Sequence, residues 1–557
     1  MIIGRVASES ETKSRGCLLP NRTRKTHDVR CINVCAKKRP SISSYHWVEK
    51  NNITQYITHR APFSSSSTIM EPVSQTQSVG DDYLSELPTE VLVSVLEKLD
   101  LRDAVRAGAL SRRWRHLPHQ LPRLVLDIVE FLGDDEYDVE DDDDEGGDEE
   151  QAEGPRDGLA GASDRMLEAA TALLASRAAA GVPVNALSMR FVLSCRGKHH
   201  MSLGRLLDGA VAGGEVRAAE LSIMTTCCST VDDSNTRVFV GHGRRFRALF
   251  DGSPAAFGAL TELAMEDMKL DKADLPAILT TCTRLEVLSL TNCDPGGGWW
   301  RVRHAQLKDI RIGYCIFHCV ELAWLPKLER CSYKRWSFSS SSYQPLAFGH
   351  VPCLTTVTMT NGHTNVDVKT LRLSQILANT AVSNLGLNLW AENIWVKPEA
   401  PKRFIDMFRN LKHLKIRNVH EDCGLSWTYF FLQAAPVLKE LYIKLWDHEC
   451  ERGLEVFPAK KSNVSWEVAA GFKHYSLTQL TILGLYSTRD GVVAYIRRVV
   501  EAAVNLKEIQ ICEKGPCKEC GVASGLGFPR TAKEKSVLRE SISDGGSVAV
   551  NIVCIQS

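Results

Sequence analysis

Leu285-Glu-Val-Leu288-Ser-Leu290 and Leu307-Lys-Asp-Ile310-Arg-Ile312 share one pattern: an aliphatic residue, two variable positions, a second aliphatic, one variable position, and a third aliphatic. The same pattern occurs at Leu260/Leu263/Met265, Leu354/Val357/Met359, Leu411/Leu414/Ile416, Leu438/Leu441/Ile443, Leu477/Leu480/Ile482 and Leu506/Ile509/Ile511. Degenerate copies stand at Val184/Leu187/Met189, Leu328/Cys331/Tyr333 and Val382/Leu385/Leu387. Alternation at the last two aliphatic positions belongs to a short strand with one buried face. The first aliphatic packs in the turn that leads into it.

Most successive copies begin roughly 21 to 30 residues apart, the period of leucine-rich repeats. No single repeat of this length buries its own apolar face, so stacking many of them is the stable arrangement. Segments such as Asp274-Leu275-Pro276-Ala277-Ile278-Leu279 read as helical returns on the convex side. The expected fold class is therefore α/β, with most of the chain in a divergent solenoid, or horseshoe, interrupted by insertions. The long gap between Leu438 and Leu477 is one such insertion. Leu121-Pro-Arg-Leu124-Val-Leu126 reads as the first buried strand, and an Ala-rich helix is expected over roughly Ser163 to Ala180.

Upstream of the repeats lies a compact helical unit. Pro88 fits the first position of a helix, where its missing amide hydrogen costs nothing. Leu92, Leu96 and Leu99 follow at helical spacing, widened by Val91 and Val95. Asp100 and Asp103 suit the start of a second short helix, whose apolar side is Ala104, Val105, Ala109 and Leu110. Ser111 caps a third segment, Arg112-Arg113-Trp114-Arg115. A unit of about forty residues is at the limit of what buries its own core, so its apolar surface needs a partner.

These residues resemble the F-box, the motif by which substrate receptors of SCF-type ubiquitin ligases dock on the Skp-family adaptor. The likeness runs from Asp82 to Pro118 without a gap, from the Leu87-Pro88 opening to Trp114. The resemblance implies an N-terminal three-helix F-box and an adaptor face made of Leu87, Pro88, Leu92, Val95, Leu96, Leu101, Val105, Leu110 and Trp114. The same spacing also allows Leu96, Leu99 and Trp114 to pack inside the unit or onto the solenoid. A basic nucleic-acid helix built on Arg102, Arg106, Arg112, Arg113 and Arg115 is disfavoured, because apolar positions interrupt the stripe and no base-reading motif accompanies it.

At the other end, Phe472-Lys-His-Tyr-Ser-Leu-Thr-Gln-Leu leads through Val499-Val500 and Leu506-Lys-Glu-Ile509 to Cys517-Lys-Glu-Cys520. This ending is similar to the FBD region of plant F-box/FBD/LRR-repeat proteins. That family implies a strand, a helix near Gly491–Ala503 and a last strand as a C-terminal cap. The implied division is a basic, Ser-rich extension over 1–80, the F-box over 81–120, the solenoid over 121–470 with an acidic disordered loop at 134–160, and the FBD-like region over 471–557. Residues 1–80 lack periodicity and read as disordered. Glu9, Glu11, Asp28 and Glu49 count against a transit peptide there, and Met70 offers an alternative start.

The chain of 557 residues is 44% hydrophobic and 24% charged, with zero formal net charge, so global electrostatics names no partner. Eighteen cysteines show no framework spacing, and Cys282, Cys293, Cys331 and Cys353 stand at strand-like apolar positions. That usage fits a reducing compartment, nucleus or cytoplasm. No apolar run approaches the roughly 20 residues that span a bilayer. Cys512, Cys517 and Cys520 lack the second close pair of a structural zinc site, and His199-His200 near Cys195 reads as a turn. Gly213-Gly214 and Gly241-His-Gly243 lack the lysine and the strand–helix context of a phosphate loop. No active-site motif, metal or cofactor is therefore expected.

The function that follows is a non-catalytic substrate receptor, bridging the adaptor and its cullin/RING ligase to a protein target, with neither nucleic acid nor membrane as partner. The target face is expected on the concave side, with Glu286, Ser289, Lys412, His413, Lys415, Lys439, Glu440 and Tyr442 as candidates. The alternative is a repeat scaffold outside any ligase, in which the F-box-like hairpin only caps the solenoid.

Overall fold

A computed structural model describes residues 87–132, 156–193, 198–225, 233–296, 298–336, 344–361, 370–391, 394–420, 424–446, 465–484, 490–515, 528–543 and 550–555. The acidic run Asp134–Glu150, the cysteines Cys517 and Cys520, and the N-terminal extension lie outside the described residues.

The repeats form one parallel sheet of fourteen strands. In chain order the strands are β1 (Arg123–Asp127), β2 (Ala186–Leu193), β3 (Ala219–Thr225), β4 (Leu260–Glu266), β5 (Val287–Thr291), β6 (Trp299–Arg303), β7 (Asp309–Gly313), β8 (Cys319–Trp324) and β9 (Arg330–Lys334). They continue with β10 (Leu346–His350), β11 (Thr356–Thr360), β12 (Asn384–Ala391), β13 (His413–His420), β14 (Glu440–Trp446), β15 (Gln479–Leu483), β16 (Glu508–Cys512) and β17 (Asn551–Ile555). All but β6, β8 and β10 belong to the large sheet.

Its register is the repeat written in space. Leu263 lies opposite Leu288, then Ile310, Cys331, Val357, Leu385, Leu414, Leu441, Leu480, Ile509 and Ile552 in successive strands. The leading aliphatics, Leu285, Leu307, Leu328, Leu411 and Leu477 among them, are fully buried as well. Shielding a leucine side chain from water is worth about 1.5–3 kcal/mol, and each residue in this ladder is shielded only because the next repeat lies on it. The sequence pattern passes over β3 and β17. The first ends in a mixed run, and the last carries Ile552 without a leading leucine.

A second ladder closes each turn. Two residues past the last strand aliphatic, the backbone turns left-handed at Asp267, Asn292, Tyr314, Arg335 and Asn418, with φ of 50° to 59°. Four of these donate their N–H to the end of the next strand: Asp267 to Thr291, Asn292 to Gly313, Tyr314 to Lys334 and Arg335 to Thr360. A bulky residue in this region costs roughly 1–2 kcal/mol. The Arg335 guanidinium lies 5.5 Å from the Tyr314 ring centre, so the two most strained side chains support each other.

The convex side differs from the expectation of helical returns throughout. Helices back the early strands: Arg156–Ala179, His199–Ala212, Asp233–Asp251 and Asp274–Thr281. The Ala-rich helix thus starts at Arg156, ahead of the expected Ser163 and inside the stretch read as loop. The middle repeats return through β6, β8 and β10, a second parallel sheet. Their segments alternate apolar with polar residues, burying Trp300 and Val302, Val320 and Leu322, and Leu346 and Phe348. A period of two cannot place one face of a helix inward, so these returns are extended. Helices resume later, including Asp490–Ala502, close to the expected Gly491–Ala503, and Ala532–Ser543. The last strands extend the same sheet, with β15, β16 and β17 in unbroken register.

Several sequence features are absorbed by this packing. Gly243 faces the backbone of Lys269, where a Cβ would sit 1.7 Å from the carbonyl oxygen, and neighbouring His242 is buried with Nδ1 3.0 Å from the Asp267 carbonyl oxygen. His199-His200 opens a helix instead of forming a turn. His304 and His474 have the same task in different repeats, each three residues before a leading leucine. Nδ1 of His304 accepts from the N–H groups of Gln306 and Leu307 at 3.2 and 3.1 Å, while Nε2 donates to the Cys282 carbonyl at 3.0 Å. His474 repeats this with Ser476, Leu477 and the Ala435 carbonyl.

Burial lowers the basicity of both rings, partly offset by the carbonyl each ring faces. It lowers His200 further, to about 4, aided by nearby Arg245. A histidine whose folded basicity is depressed stabilises the fold fully above its unfolded value of 6.5 and loses that contribution as pH falls. Chemical denaturation should therefore show stability declining from pH 6.5 toward pH 4. His304→Gln and His474→Gln should each lower stability at pH 7.5 by about 1–3 kcal/mol and flatten that decline. An unchanged slope in the double variant would contradict the assignment.

Candidate functional site

Two surfaces can meet other molecules: the helical unit before β1 and the polar floor of the concave face. In the helical unit, Thr89–Leu96 follows Pro88, which stands just before the helix and accepts from the N–H groups of Val91 and Leu92. Asp100 Oδ1 accepts from Asp103 N–H at 2.8 Å and opens the helix Leu101–Ala107. The third expected helix is two short 3₁₀ turns, Trp114–His116 and Pro118–Gln120, the first opened by Ser111 Oγ accepting from Trp114 N–H at 3.2 Å. Arg113 reaches back to the Leu87 carbonyl and ties the end of the unit to its beginning.

Burial divides the expected adaptor face. Leu92, Leu96 and Trp114 point inward, into the core that continues through Leu117, Leu121 and Leu124 to the first strand. They hold the unit together and join it to the solenoid, so they are not on the surface a partner would meet, which corrects their expected placement. Leu87 and Leu101 are half-buried and Pro88 is exposed. The apolar side chains left outside are Val91, Val95, Leu99, Val105 (48% exposed) and Leu110 (77% exposed). Val91 and Leu99 were not in the expected set, and the i, i+4, i+8 spacing from Val91 through Val95 to Leu99 was the available signal.

The concave face is built from three columns of side chains, one before, one between and one after the two strand aliphatics. The central column runs Ala264, Ser289, Arg311, Ser332, Thr358, Gly386, Lys415, Tyr442. Near β4 and β7 it is flanked by carboxylates. Glu262 is held above the ordinary carboxylate range by burial and by neighbouring Glu220. Buried Asp309 takes Arg311 at 2.8 Å and Arg330 at 3.1 Å.

Farther along, between β9 and β13, the floor sinks into a basin of about 520 Å³. Thr356, Thr358, Thr360, Asn384, Gly386 and Asn388 line it, with Lys334, His413, Lys415 and Arg417 around them and no carboxylate in the lining. Gly386 sets the depth, since a Cβ there would meet Thr358 Oγ1 at 3.0 Å. Asn418 Nδ2 donates to Asn388 Oδ1 at 2.9 Å across one end.

The expected target residues divide accordingly. His413 and Lys415 line the basin, and Glu440 and Tyr442 stand on the next strand. His413 Nδ1 and a Glu440 carboxylate oxygen are 2.8 Å apart, and burial keeps the Tyr442 hydroxyl protonated to higher pH than usual. Lys412 and Lys439 precede their strands, where their carbonyls carry the next repeat's N–H groups. Glu286 does the same and pairs with Lys308 at 2.8 Å. Ser289 is on the concave face but five strands before β13 in the sheet, about 24 Å away at ordinary strand spacing. Lys334, Thr358, Asn384, Gly386 and Arg417 were missed. Reading the repeat columns across the degenerate copies would have aligned them.

This arrangement defines a leucine-rich-repeat solenoid carrying a short helical unit before its first strand. The comparisons agree: residues 84–121 match the F-box-like family model, and residues 221–443 match the model "FBD-associated F-box protein At5g56370, LRR repeats". The chain thus carries an F-box-like segment and leucine-rich repeats of the kind found in FBD-associated F-box proteins. Curated relatives in Arabidopsis thaliana are F-box protein At1g80960 (38% identical over 47 residues), F-box/FBD/LRR-repeat protein At2g04230 (38% over 58) and FBD-associated F-box protein At5g22730 (42% over 52). These matches take in 8%, 10% and 9% of this chain and 10%, 13% and 11% of the relatives' own lengths. Among the described residues no helix is long and apolar enough to cross a membrane.

The division of the helical unit is measurable. Leu92→Ala should destabilise it by about 2–5 kcal/mol, whereas Leu110→Ala should stay within about 0.5 kcal/mol of wild type. Amide hydrogen exchange over residues 89–107 of the full chain separates the two, and equal protection in both variants would contradict this assignment of burial.

Proposed function

We propose that the protein is a substrate receptor of an SCF-type ubiquitin ligase, docking a Skp-family adaptor through the exposed apolar residues of its helical unit and a protein target through its concave face. The observation that carries this reading is the set Val91, Val95, Leu99, Val105 and Leu110, left in solvent on a unit whose Leu92, Leu96, Ala104, Ala107 and Trp114 are committed to the core. Large apolar side chains gathered outside mark an interaction surface, and the family match supplies the class of partner. The contribution of such a receptor is positional. It raises the effective concentration of target lysines near a charged conjugating enzyme, while the covalent step belongs to other subunits.

Val105→Glu/Leu110→Glu in the full chain should reduce recovery of a Skp-family adaptor by about thirtyfold, the effect of losing a strong interface anchor, with the circular dichroism spectrum unchanged. Equal adaptor recovery by wild type and variant, or none by either, would sink the docking reading and leave the scaffold in which the helical unit only caps the solenoid.

A further inference from the structure

The geometry points to the basin between β9 and β13 as a binding site for a phosphoryl group. This deepens the receptor reading, on which its place in target recognition rests. The argument starts from how cations are handled elsewhere on this surface. Arg311 and Arg330 share buried Asp309, Lys308 meets Glu286, and Arg123 meets Glu220. Two of the basin's cations depart from that pattern. Lys415 and Arg417 are exposed and make no ion pair with any described residue, and no carboxylate lines the hollow beneath them.

The floor adds short-range donors of a different kind. Thr356 and Thr358 present hydroxyls, both half-buried, around the gap that Gly386 leaves open, and Asn384 Nδ2 donates to Thr356 Oγ1 at 3.3 Å and to Ser383 Oγ at 3.0 Å, which orients the Thr356 hydroxyl as a donor. A carboxylate offers two oxygens, which one arginine fork satisfies. A phosphoryl group carries nearly two charges and three strong acceptor oxygens, and it uses cations at the rim together with hydroxyl donors beneath. A volume of about 520 Å³ admits a phosphorylated side chain with its flanking residues or a small phosphorylated molecule. The chemistry recognised is the same in both cases.

The test uses the full chain at 0.15 M salt with three probes: a degenerate phosphoserine peptide pool, the same pool unphosphorylated, and tripolyphosphate. Wild type should bind a phosphoryl probe, and Lys415→Ala/Arg417→Ala should weaken that binding about tenfold or more. Arg311→Ala, whose cation is already paired outside the basin, should leave it unchanged. Preference for the phosphorylated pool assigns the group to a target protein. Tripolyphosphate binding with no preference between the pools assigns it to a soluble ligand.

A wild type that neither binds tripolyphosphate nor prefers the phosphorylated pool overturns the inference. Phosphoryl binding that survives in the Lys415→Ala/Arg417→Ala variant also overturns it. Adaptor recovery from the same preparations separates the two readings: loss of phosphoryl binding with the adaptor retained removes the basin alone, and loss of the adaptor with phosphoryl binding retained removes the receptor alone.

Discussion

A repeat in this chain has no interior of its own, and everything else in the structure depends on that. Leu288 is buried because Leu263 and Ile310 lie against it in the neighbouring strands, and the same holds from Leu124 to Ile552. The parallel register is therefore enforced by the core as well as by backbone hydrogen bonds. A slip of one residue would move every aliphatic to the concave side and every polar residue inward. The left-handed turns at Asp267, Asn292, Tyr314 and Arg335 serve the same end, passing each strand end to the next and fixing where the chain leaves the sheet.

The fold was largely legible because this constraint is written in aliphatic spacing. All eleven copies of the pattern, including Leu328/Cys331/Tyr333 and Val382/Leu385/Leu387, are strands of one sheet. What the pattern hid has local causes. β3 rests on Ala219, Leu221 and Ile223 and carries a register shift against β4, so its spacing departs from the template. The convex strands β6, β8 and β10 answer to a two-residue alternation that lies outside the repeat consensus. The turn residues Tyr314 and Arg335 give no warning, since neither side chain favours positive φ.

The sites were less legible, for a different reason in each case. In the helical unit a leucine at helical spacing belongs equally to an inner and an outer face, and only the position of β1 decides between them. Leu92, Leu96 and Trp114 are buried, and Val105 and Leu110 are exposed. On the concave face the informative residues are those the repeat pattern leaves variable. His413 and Lys415 belong to a strong copy and were visible. Lys334, Asn384 and Gly386 belong to weak copies, and the hollow that Gly386 makes exists only once Thr358 and Lys415 flank it in register.

The unbroken core from the helical unit into β1 has a mechanical consequence. Leu117, Leu121 and Leu124 run from one into the other as continuous packing, so no hinge separates the helical unit from the sheet. The basin lies six to nine strands from β1, about 29–43 Å along the sheet at ordinary spacing. A stack whose every layer is clamped to the next behaves as a ruler. Whatever is held in the basin is presented at a fixed reach and bearing from whatever grips Leu110, and inserting or deleting one repeat between them would change that reach by one strand spacing while leaving both surfaces intact.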